Sequence, residues 1–318
     1  MTWQKKALIY KPDGSMPFSR THAQVPFGYP LEERLRVYFS TRDENSASAV
    51  SFVELNPNNL SEVLYVHDKP CLAKGAVGMF DETGTMPSWF VPVRSDESGD
   101  EIWLYYTGWN KSETASYRLG IGLAVSYDGG LTFERKFTGP LLDRYIFDQV
   151  WVAQPCVMRE TQPDGSILWR MWYLSCTKIE VISGHPEPFY DVKYAESTDG
   201  IHWERTGHVC VGYNDFTDAI GRPTVYKDGD LYKMYFSYRN ATNYRTDVQR
   251  SYRIGYAESE DGITWVRKDE LAGIERSSDG WDSLMMDYCH IFSHHDRRIM
   301  LYNGNGFGAS GFGYAVQV

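Results

Sequence analysis

The sequence predicts an all-β protein, a five-bladed β-propeller, from its composition and from two strand patterns that recur along the chain. The chain has 318 residues, of which 15% are aromatic and 28 are glycine. Aromatic residues favour strands and glycines favour the turns between them. No segment combines a sustained 3.6-residue period with capping residues, so we expect few helices.

The first pattern is an apolar strand that runs into Ser-x-Asp-Gly and is followed by an aromatic residue. It occurs at residues 122–133, 193–203 and 255–265. Serine and aspartate side chains bond turn amides, and glycine accepts a positive φ, so each copy predicts a β-hairpin. We interpret Asp128, Asp199 and Asp261 as turn residues rather than as a catalytic carboxylate triad.

The second pattern is a strand with two-residue alternation, found upstream of each hairpin and also near both ends of the chain. Its copies are residues 36–41, 102–107, 169–175, 231–237 and 298–303, and a further segment, usually containing proline, precedes each copy. Five units of about four strands predict blades at residues 18–70, 71–140, 141–210, 211–272 and 273–318. We expect one domain over 1–318, with Lys6–Tyr10 as the outer strand of the last blade. Two β-sandwiches are the alternative.

Charge and cysteine content exclude several classes of protein. The net charge is −10, which argues against nucleic acid as a partner and is compatible with a neutral or cationic small ligand. No apolar run of 18 residues occurs, so we predict no membrane span. Five scattered cysteines and no signal-peptide pattern predict reduced thiols and a cytoplasmic protein.

Two motifs that suggest cofactors do not fit their context. Gly306, Gly308 and Gly311 form a GxGxxG, but no βαβ unit can follow it before Val318. His290, His294 and His295 lie in a predicted strand and lack zinc-ligand spacing. We therefore predict neither a cofactor nor a metal.

Candidate site residues come from the first strand of each blade, because those strands line the channel of a propeller. Carboxylates supply acid and base for acetal chemistry, and flat aromatic rings stack on sugars. Asp81 is the first candidate for the reacting centre, followed by Asp218 and Asp282. The predicted substrate-binding residues are Arg20, His22, Glu82, Trp89, Asp148, Trp151, Gln154, Arg222, Tyr288, His290 and Asn303. Arg222 either pairs with Asp218 or binds an anionic ligand.

The Tyr-Ala-x-Ser-x-Asp-Gly-x-x-Trp hairpins, Gly-Arg222-Pro223-x-Val, Gly-Trp281-Asp282 and Tyr302-Asn-Gly-Asn-Gly resemble the five-bladed glycosidase superfamily. That superfamily includes arabinanases, xylosidases, invertases, levansucrases and β-mannoside phosphorylases. The resemblance covers about residues 18–318 and is closest to uncharacterised members associated with bacterial surface-polysaccharide genes. It implies an enzyme that hydrolyses, phosphorolyses or transfers a glycosidic bond, with a carbohydrate or nucleotide-sugar ligand.

The chain departs from this family at the catalytic positions. Arabinanase-like hydrolases have an acid in the first strand of blade one, where this chain offers Arg20, His22 and Gln24. They also have a glutamate two residues before the blade-three proline, where Ala153 stands here, followed by Gln154. Glutamine cannot act as a general acid. A non-catalytic sugar-binding propeller is therefore the alternative function.

Overall fold

The computed structural model describes residues 2–95, 99–214 and 217–318, and this part of the chain contains twenty strands and one short 3-10 helix, Asp269–Leu271. The all-β prediction is confirmed. No helix in the described ranges is long and apolar enough to cross a membrane. The first ten strands are β1 (Trp3–Tyr10), β2 (Thr21–Pro30), β3 (Leu35–Arg42), β4 (Ser48–Asn56), β5 (Asn59–Val66), β6 (Gly84–Ser95), β7 (Gly99–Ser112), β8 (Ser116–Ser126), β9 (Glu134–Arg135) and β10 (Trp151–Thr161). The others are β11 (Ile167–Ile182), β12 (His185–Ser197), β13 (Glu204–Val211), β14 (Ala219–Asp228), β15 (Leu231–Arg239), β16 (Arg253–Ser259), β17 (Val266–Arg267), β18 (Asp287–His294), β19 (Arg297–Asn303) and β20 (Phe312–Gln317).

Antiparallel pairing groups these strands into consecutive four-stranded units. Unit 1 is β2–β5, unit 2 is β6–β9, unit 3 is β10–β13 and unit 4 is β14–β17. Unit 5 consists of β18, β19 and β20 and takes its outer strand from β1, which pairs with β20 from Trp3↔Gln317 onwards. The N-terminal strand thus joins the last unit, and this pairing ties the two ends of the chain together.

The first strand of each unit faces a common axis. The inner strands β2, β6, β10, β14 and β18 contact one another in that order, and β18 contacts β2. This closed ring is the arrangement of a β-propeller, so the predicted fold class is confirmed. Apolar side chains fill the space between neighbouring units; the rings of Trp103 in unit 2 and Trp169 in unit 3, for example, stack 5.6 Å apart. All five cysteines lie in such buried positions as free thiols.

The Ser-x-Asp-Gly segments form the predicted turns. Ser126 Oγ accepts from the Gly130 amide at 2.8 Å, and Asp128 Oδ1 accepts from the amides of Leu131 and Thr132 at 3.0 Å. Equivalent hydrogen bonds form in the copies at 197–202 and 259–264, where each bonded amide is one residue closer to the serine or aspartate. The aspartates therefore hold the turns together, as their local spacing predicts.

Candidate functional site: the central cavity

A cavity of about 320 Å³ opens where the inner strands begin, and every unit contributes to its wall. Its volume is typical of small-molecule sites. The inner strands supply Gln24, Met86, Gln154, Gly221 and Tyr288. The structure thus brings together side chains that are far apart in the sequence, at the position where a propeller is expected to bind its ligand.

The remaining wall comes from the first residue of β10, from the ends of the second and third strands and from two long loops. Its main side chains are Arg42, Ser48, Trp109, Tyr117, Trp151, Tyr190, Ser237, Arg239, Tyr244, Arg245, Tyr252 and Phe307. Seven of these twelve side chains are aromatic. The ring of Trp151 lies 5.9 Å from that of Tyr117 and 5.7 Å from that of Tyr190, whose hydroxyl is hydrogen-bonded to that of Tyr252.

A backbone irregularity at the start of the inner strands shapes the cavity floor. Val25, Gln154, Arg222 and Tyr288 have φ values of 55°, 49°, 54° and 53°, in the left-handed region that non-glycine residues avoid. Each lies at a break in pairing register between the first and second strands of its unit. Such strain, about 1–3 kcal/mol per residue, is typical of functional sites.

Side chains from the preceding unit stabilise three of these strained residues. The backbone amide of Gln154 donates to Thr107 Oγ1 at 2.8 Å. The backbone amide of Tyr288 donates to Ser237 Oγ at 2.9 Å, and that of Val25 donates to Asn303 Oδ1 at 2.8 Å. Asn303 also donates from Nδ2 to the carbonyls of Ala23 and Gly311. Asn303, predicted as a ligand for substrate, therefore uses its hydrogen bonds to join unit 5 to unit 1.

Three arginines give the cavity a positive lining. Arg239 is 2% exposed; its Nε donates to Tyr252 Oη at 3.2 Å, and its Cζ lies 4.0 Å from the centre of the Tyr244 ring. Arg245 contacts the same ring at 4.1 Å and pairs with Glu187 at 2.6 Å. Arg42 is half-buried, and its Nε donates to Gln24 Oε1 at 3.0 Å.

Among the described residues that line the cavity there is no aspartate or glutamate. Asp287 directly precedes Tyr288 of the cavity wall. Its side chain is fully buried, both its oxygens lack a hydrogen-bond partner in the described ranges, and burial raises its pKa well above the usual range. The cavity can therefore stack on and hydrogen-bond a ligand, but it does not present the two carboxyl groups that a glycosidase uses.

Three predicted site carboxylates lie elsewhere, at equivalent positions of three units. Asp81, Asp148 and Asp282 each follow an aromatic residue, precede an inner strand and are at most 2% exposed. Each accepts a hydrogen bond from a second-strand tyrosine and pairs with a cation on the outer strand. The sets are Asp81 with Tyr106 and Arg135, Asp148 with Tyr173 and Arg205, and Asp282 with Tyr302 and Lys5.

This repeated contact joins three parts of one unit and leaves the carboxylate no access to the cavity. Isolated bridges place Ser19 and Thr217 at the same position in units 1 and 4. There Ser19 bonds Thr41, and Arg267 donates to Thr217 Oγ1 at 3.0 Å. The position is thus filled in each unit by a polar side chain that bonds within its own unit, which is a structural arrangement.

Of the other predicted residues, Trp151, Gln154 and Tyr288 line the cavity, whereas four do not: Arg20, Glu82 and Asp218 lie in bends, and His22 lies at the start of β2. Arg20 is exposed and donates to the Gly14 carbonyl. Glu82 accepts from the Gly78 amide, and Asp218 from the Ala241 amide at 2.6 Å. His22 is half-buried, and burial together with the charge of Arg42 lowers its pKa to about 4.

The last group of predicted residues fills the channel between the inner strands. His290 stacks on Phe27 at 3.7 Å, and Trp89 meets His290 edge-on at 5.3 Å. Arg222 is fully buried and donates from Nη1 to the Ser88 carbonyl of unit 2 at 2.7 Å, so it does not pair with Asp218. These side chains form part of the channel interior and are absent from the cavity wall.

The sequence contains a signal for two of the arginines that the prediction missed. Tyr-Phe-Ser-x-Arg occurs at residues 38–42 and 235–239, at the end of the second strand in units 1 and 4. Register confirms that Arg42 and Arg239 are equivalent, since each lies two residues beyond the serine that pairs with an inner-strand residue of the floor. The predicted site residues come from the first strands, whereas this motif lies at the end of a second strand.

The fold is similar to the folds of several solved glycoside hydrolase structures. A glycosyl hydrolase from Bacteroides ovatus superposes with a TM-score of 0.72 at 12% identity, over 99% of this chain and 93% of the other. A further glycoside hydrolase gives a TM-score of 0.71 at 16% identity, over 98% and 91%. A structure from work on the GH130 family of mannoside phosphorylases gives 0.69 at 11% identity, over 99% and 93%.

The chain belongs to the family of the uncharacterized protein Rv1502 of Mycobacterium tuberculosis, with 36% identity over 318 residues and 99% of both chains covered. Uncharacterized protein MT1551 of the same species matches to the same extent. No protein-family model matches the chain.

Proposed function

We propose that the protein binds a carbohydrate in the central cavity and does so without the two-carboxylate chemistry of glycosidases. The observation that carries this proposal is the wall itself, which combines aromatic rings with amide and guanidinium groups and, within the described residues, has no carboxylate. The half-buried ring of Trp109 offers a stacking surface for a sugar face, and Gln24 and Gln154 offer groups that bond hydroxyls.

A second cavity of about 300 Å³ shares Tyr244 and Arg245 with the first. Its wall continues along the start of β12, through His185 and Glu187. The continuity supports a ligand longer than one sugar unit, with one end in the central cavity and the rest along this groove.

The test compares two half-buried tryptophans whose indole N–H groups are both bonded. Trp109 lines the cavity and donates to Ser48 Oγ at 2.8 Å, whereas Trp203 lies in a hairpin turn and donates to the Gly200 carbonyl at 3.1 Å. Calorimetric titration with monosaccharides, oligosaccharides and nucleotide sugars identifies the ligand. Trp109→Ala then lowers its affinity by roughly tenfold through lost stacking, and Trp203→Ala leaves it unchanged. If no saccharide in a broad panel binds, the proposal is wrong.

The second candidate is an enzyme that acts on a glycosidic bond by hydrolysis, phosphorolysis or transfer. The observation in its favour is Asp287, a carboxyl held protonated by burial next to Tyr288 of the cavity floor, since a neutral carboxyl can act as a general acid. Aryl glycosides, with and without phosphate, test for turnover. Turnover that falls by roughly 10²-fold or more in Asp287→Asn supports this candidate over simple binding.

We also propose that the chain forms one five-bladed domain over 1–318, each four-stranded unit being one blade. The closed ring of inner strands supports this assignment. By resemblance, the proposed setting is bacterial surface-polysaccharide metabolism in the cytoplasm. Limited proteolysis that released a stable fragment smaller than the chain would argue against a single domain.

A further inference from the structure

We infer that the carbohydrate bound in the central cavity carries a negatively charged group, a carboxylate or a phosphate, and that Arg42 binds that group. The inference rests on the proposed function, because it names the class of saccharide for the same cavity. It does not depend on whether the protein also transforms its ligand.

The distribution of charge is the first observation. The whole chain has a net charge of −10, yet the described lining of its cavity contains Arg42, Arg239 and Arg245 and no acidic side chain. A neutral sugar gives no reason for such a contrast, since amides and hydroxyls bind its hydroxyl groups. A concave site lined by one sign of charge attracts ligands of the opposite sign.

Two of the three arginines are already committed within the protein. Glu187 lies 2.6 Å from Arg245 Nη1 and 3.9 Å from Arg239 Nη2. Arg239 also donates from Nη1 to the Asn240 carbonyl and from Nη2 to the Pro188 carbonyl. These contacts fix both guanidinium groups in the wall, where they support the ring of Tyr244.

Arg42 stands at the equivalent position of unit 1 but has no such partner. Its Nε donates to Gln24, and within the described residues it forms no ion pair and its terminal nitrogens make no hydrogen bond. The side chain is half-buried, so its charge is partly removed from water. An anionic ligand group would supply the missing acceptors with the two-point geometry that a guanidinium favours.

Tyr288 adds a second donor at this point of the cavity. Its side chain lines the same cavity as Arg42, and burial raises the pKa of its phenol well above the usual range, so the phenol stays protonated. No hydrogen bond of its hydroxyl is formed within the described part of the chain. The guanidinium of Arg42 and the hydroxyl of Tyr288 are both donors, and a cation with a further donor favours an oxyanion over a neutral hydroxyl.

The experiment measures the affinity of matched pairs: glucuronate against glucose, galacturonate against galactose, and glucose 1-phosphate against both glucose and inorganic phosphate. The variant is Arg42→Gln, and the control is Arg34→Gln, an exposed arginine between β2 and β3 of the same unit. We expect at least one charged sugar to bind more tightly than its neutral partner. Arg42→Gln should weaken it by roughly 10- to 100-fold and leave the neutral sugar unchanged.

The outcomes separate this inference from the proposed function. If neutral sugars bind as tightly as charged ones and Arg42→Gln affects neither, the inference is overturned while the binding function stands. If the affinity for inorganic phosphate alone equals that for every charged sugar, Arg42 does not recognise a charged saccharide, and the inference is again overturned. If no saccharide binds at all, the proposed function fails first.

Far-UV circular dichroism and the melting temperature show whether Arg42→Gln is folded. Arg42→Lys keeps the charge but loses the two-point geometry of the guanidinium, so its affinity for the charged sugar should lie between those of wild type and Arg42→Gln.

Discussion

Arg205 Nη1 lies 2.9 Å from Asp148 Oδ2 and joins the outer strand of unit 3 to the loop that precedes its inner strand. The aspartate is fully buried and also accepts from Tyr173 and Ser175. Its equivalents in units 2 and 5 make the same kind of contact. These buried aspartates therefore stabilise their own units, whereas arginines and aromatic rings line the cavity.

Asp148→Ala should reduce the free energy of unfolding by about 3–5 kcal/mol, because it leaves the Arg205 cation without its buried partner. Urea denaturation measures the change. The control is Asp164→Ala, which removes an exposed turn carboxylate bonded to Ser166 and should have a much smaller effect. A loss at Asp148 no larger than that of the control would contradict the structural role.

Asp81→Asn separates the role predicted from sequence from the one found in the structure. Asp81 pairs with Arg135 and Tyr106 away from the cavity, so the substitution should lower stability and leave saccharide affinity unchanged. Titration well below the melting temperature measures the affinity of the folded variant. A drop in affinity or turnover without a loss of stability would restore Asp81 to the reacting centre.

Asp191 should make the protein less stable as the pH rises from about 4 to 6. Burial raises its pKa to about 6, with Lys193 opposing and Asp148 adding to the shift. A folded-state pKa above the unfolded one means that the folded state binds the extra proton, so the stability it provides is present below pH 4 and is lost as pH rises through 6. Asp191→Asn should remove this loss, up to about 1.4 kcal/mol per pH unit. Denaturation at pH 4, 5 and 6 tests it, and equal slopes in both proteins would show that Asp191 does not titrate there.

Asn303→Ala should destabilise the protein by several kcal/mol without altering saccharide affinity. It removes bonds to the Val25 amide and to the carbonyls of Ala23 and Gly311, and each buried group left unpaired costs about 1–3 kcal/mol. Thr107→Val is the matched comparison, because it removes fewer bonds: the one to the Gln154 amide at the junction of units 2 and 3, and the one to Ser88 Oγ. If the two variants lose the same stability, Asn303 has no special part in closing the ring.

The fold was predictable because its signals are local. Ser197 and Asp199 bond amides within five residues of themselves, so the turn can be read from a short segment that recurs. Alternating strands between such turns leave few architectures, and the order of strands follows the order of the chain. Packing between units needed no separate prediction, since each unit repeats the last.

The site was predictable in part, because the closed ring brings the inner strands together whichever side chains they carry. Gln154 and Tyr288 were expected at the cavity for this reason, and the structure places them there. The ion pairs of the acidic residues could not be predicted from the sequence, because the partners are distant along the chain. Arg135 is 54 residues from Asp81, and Lys5 is 277 residues from Asp282. A buried ion pair and a catalytic carboxylate look alike until the partner is known.

The most direct test of the account is a crystal structure of the protein with a bound saccharide selected from the binding panel. The account predicts the sugar in the central cavity, with a ring stacked on Trp109 and any acidic group facing Arg42. No pair of carboxyl groups should flank a glycosidic oxygen. A saccharide bound at another surface, or one held between two carboxylates, would contradict it.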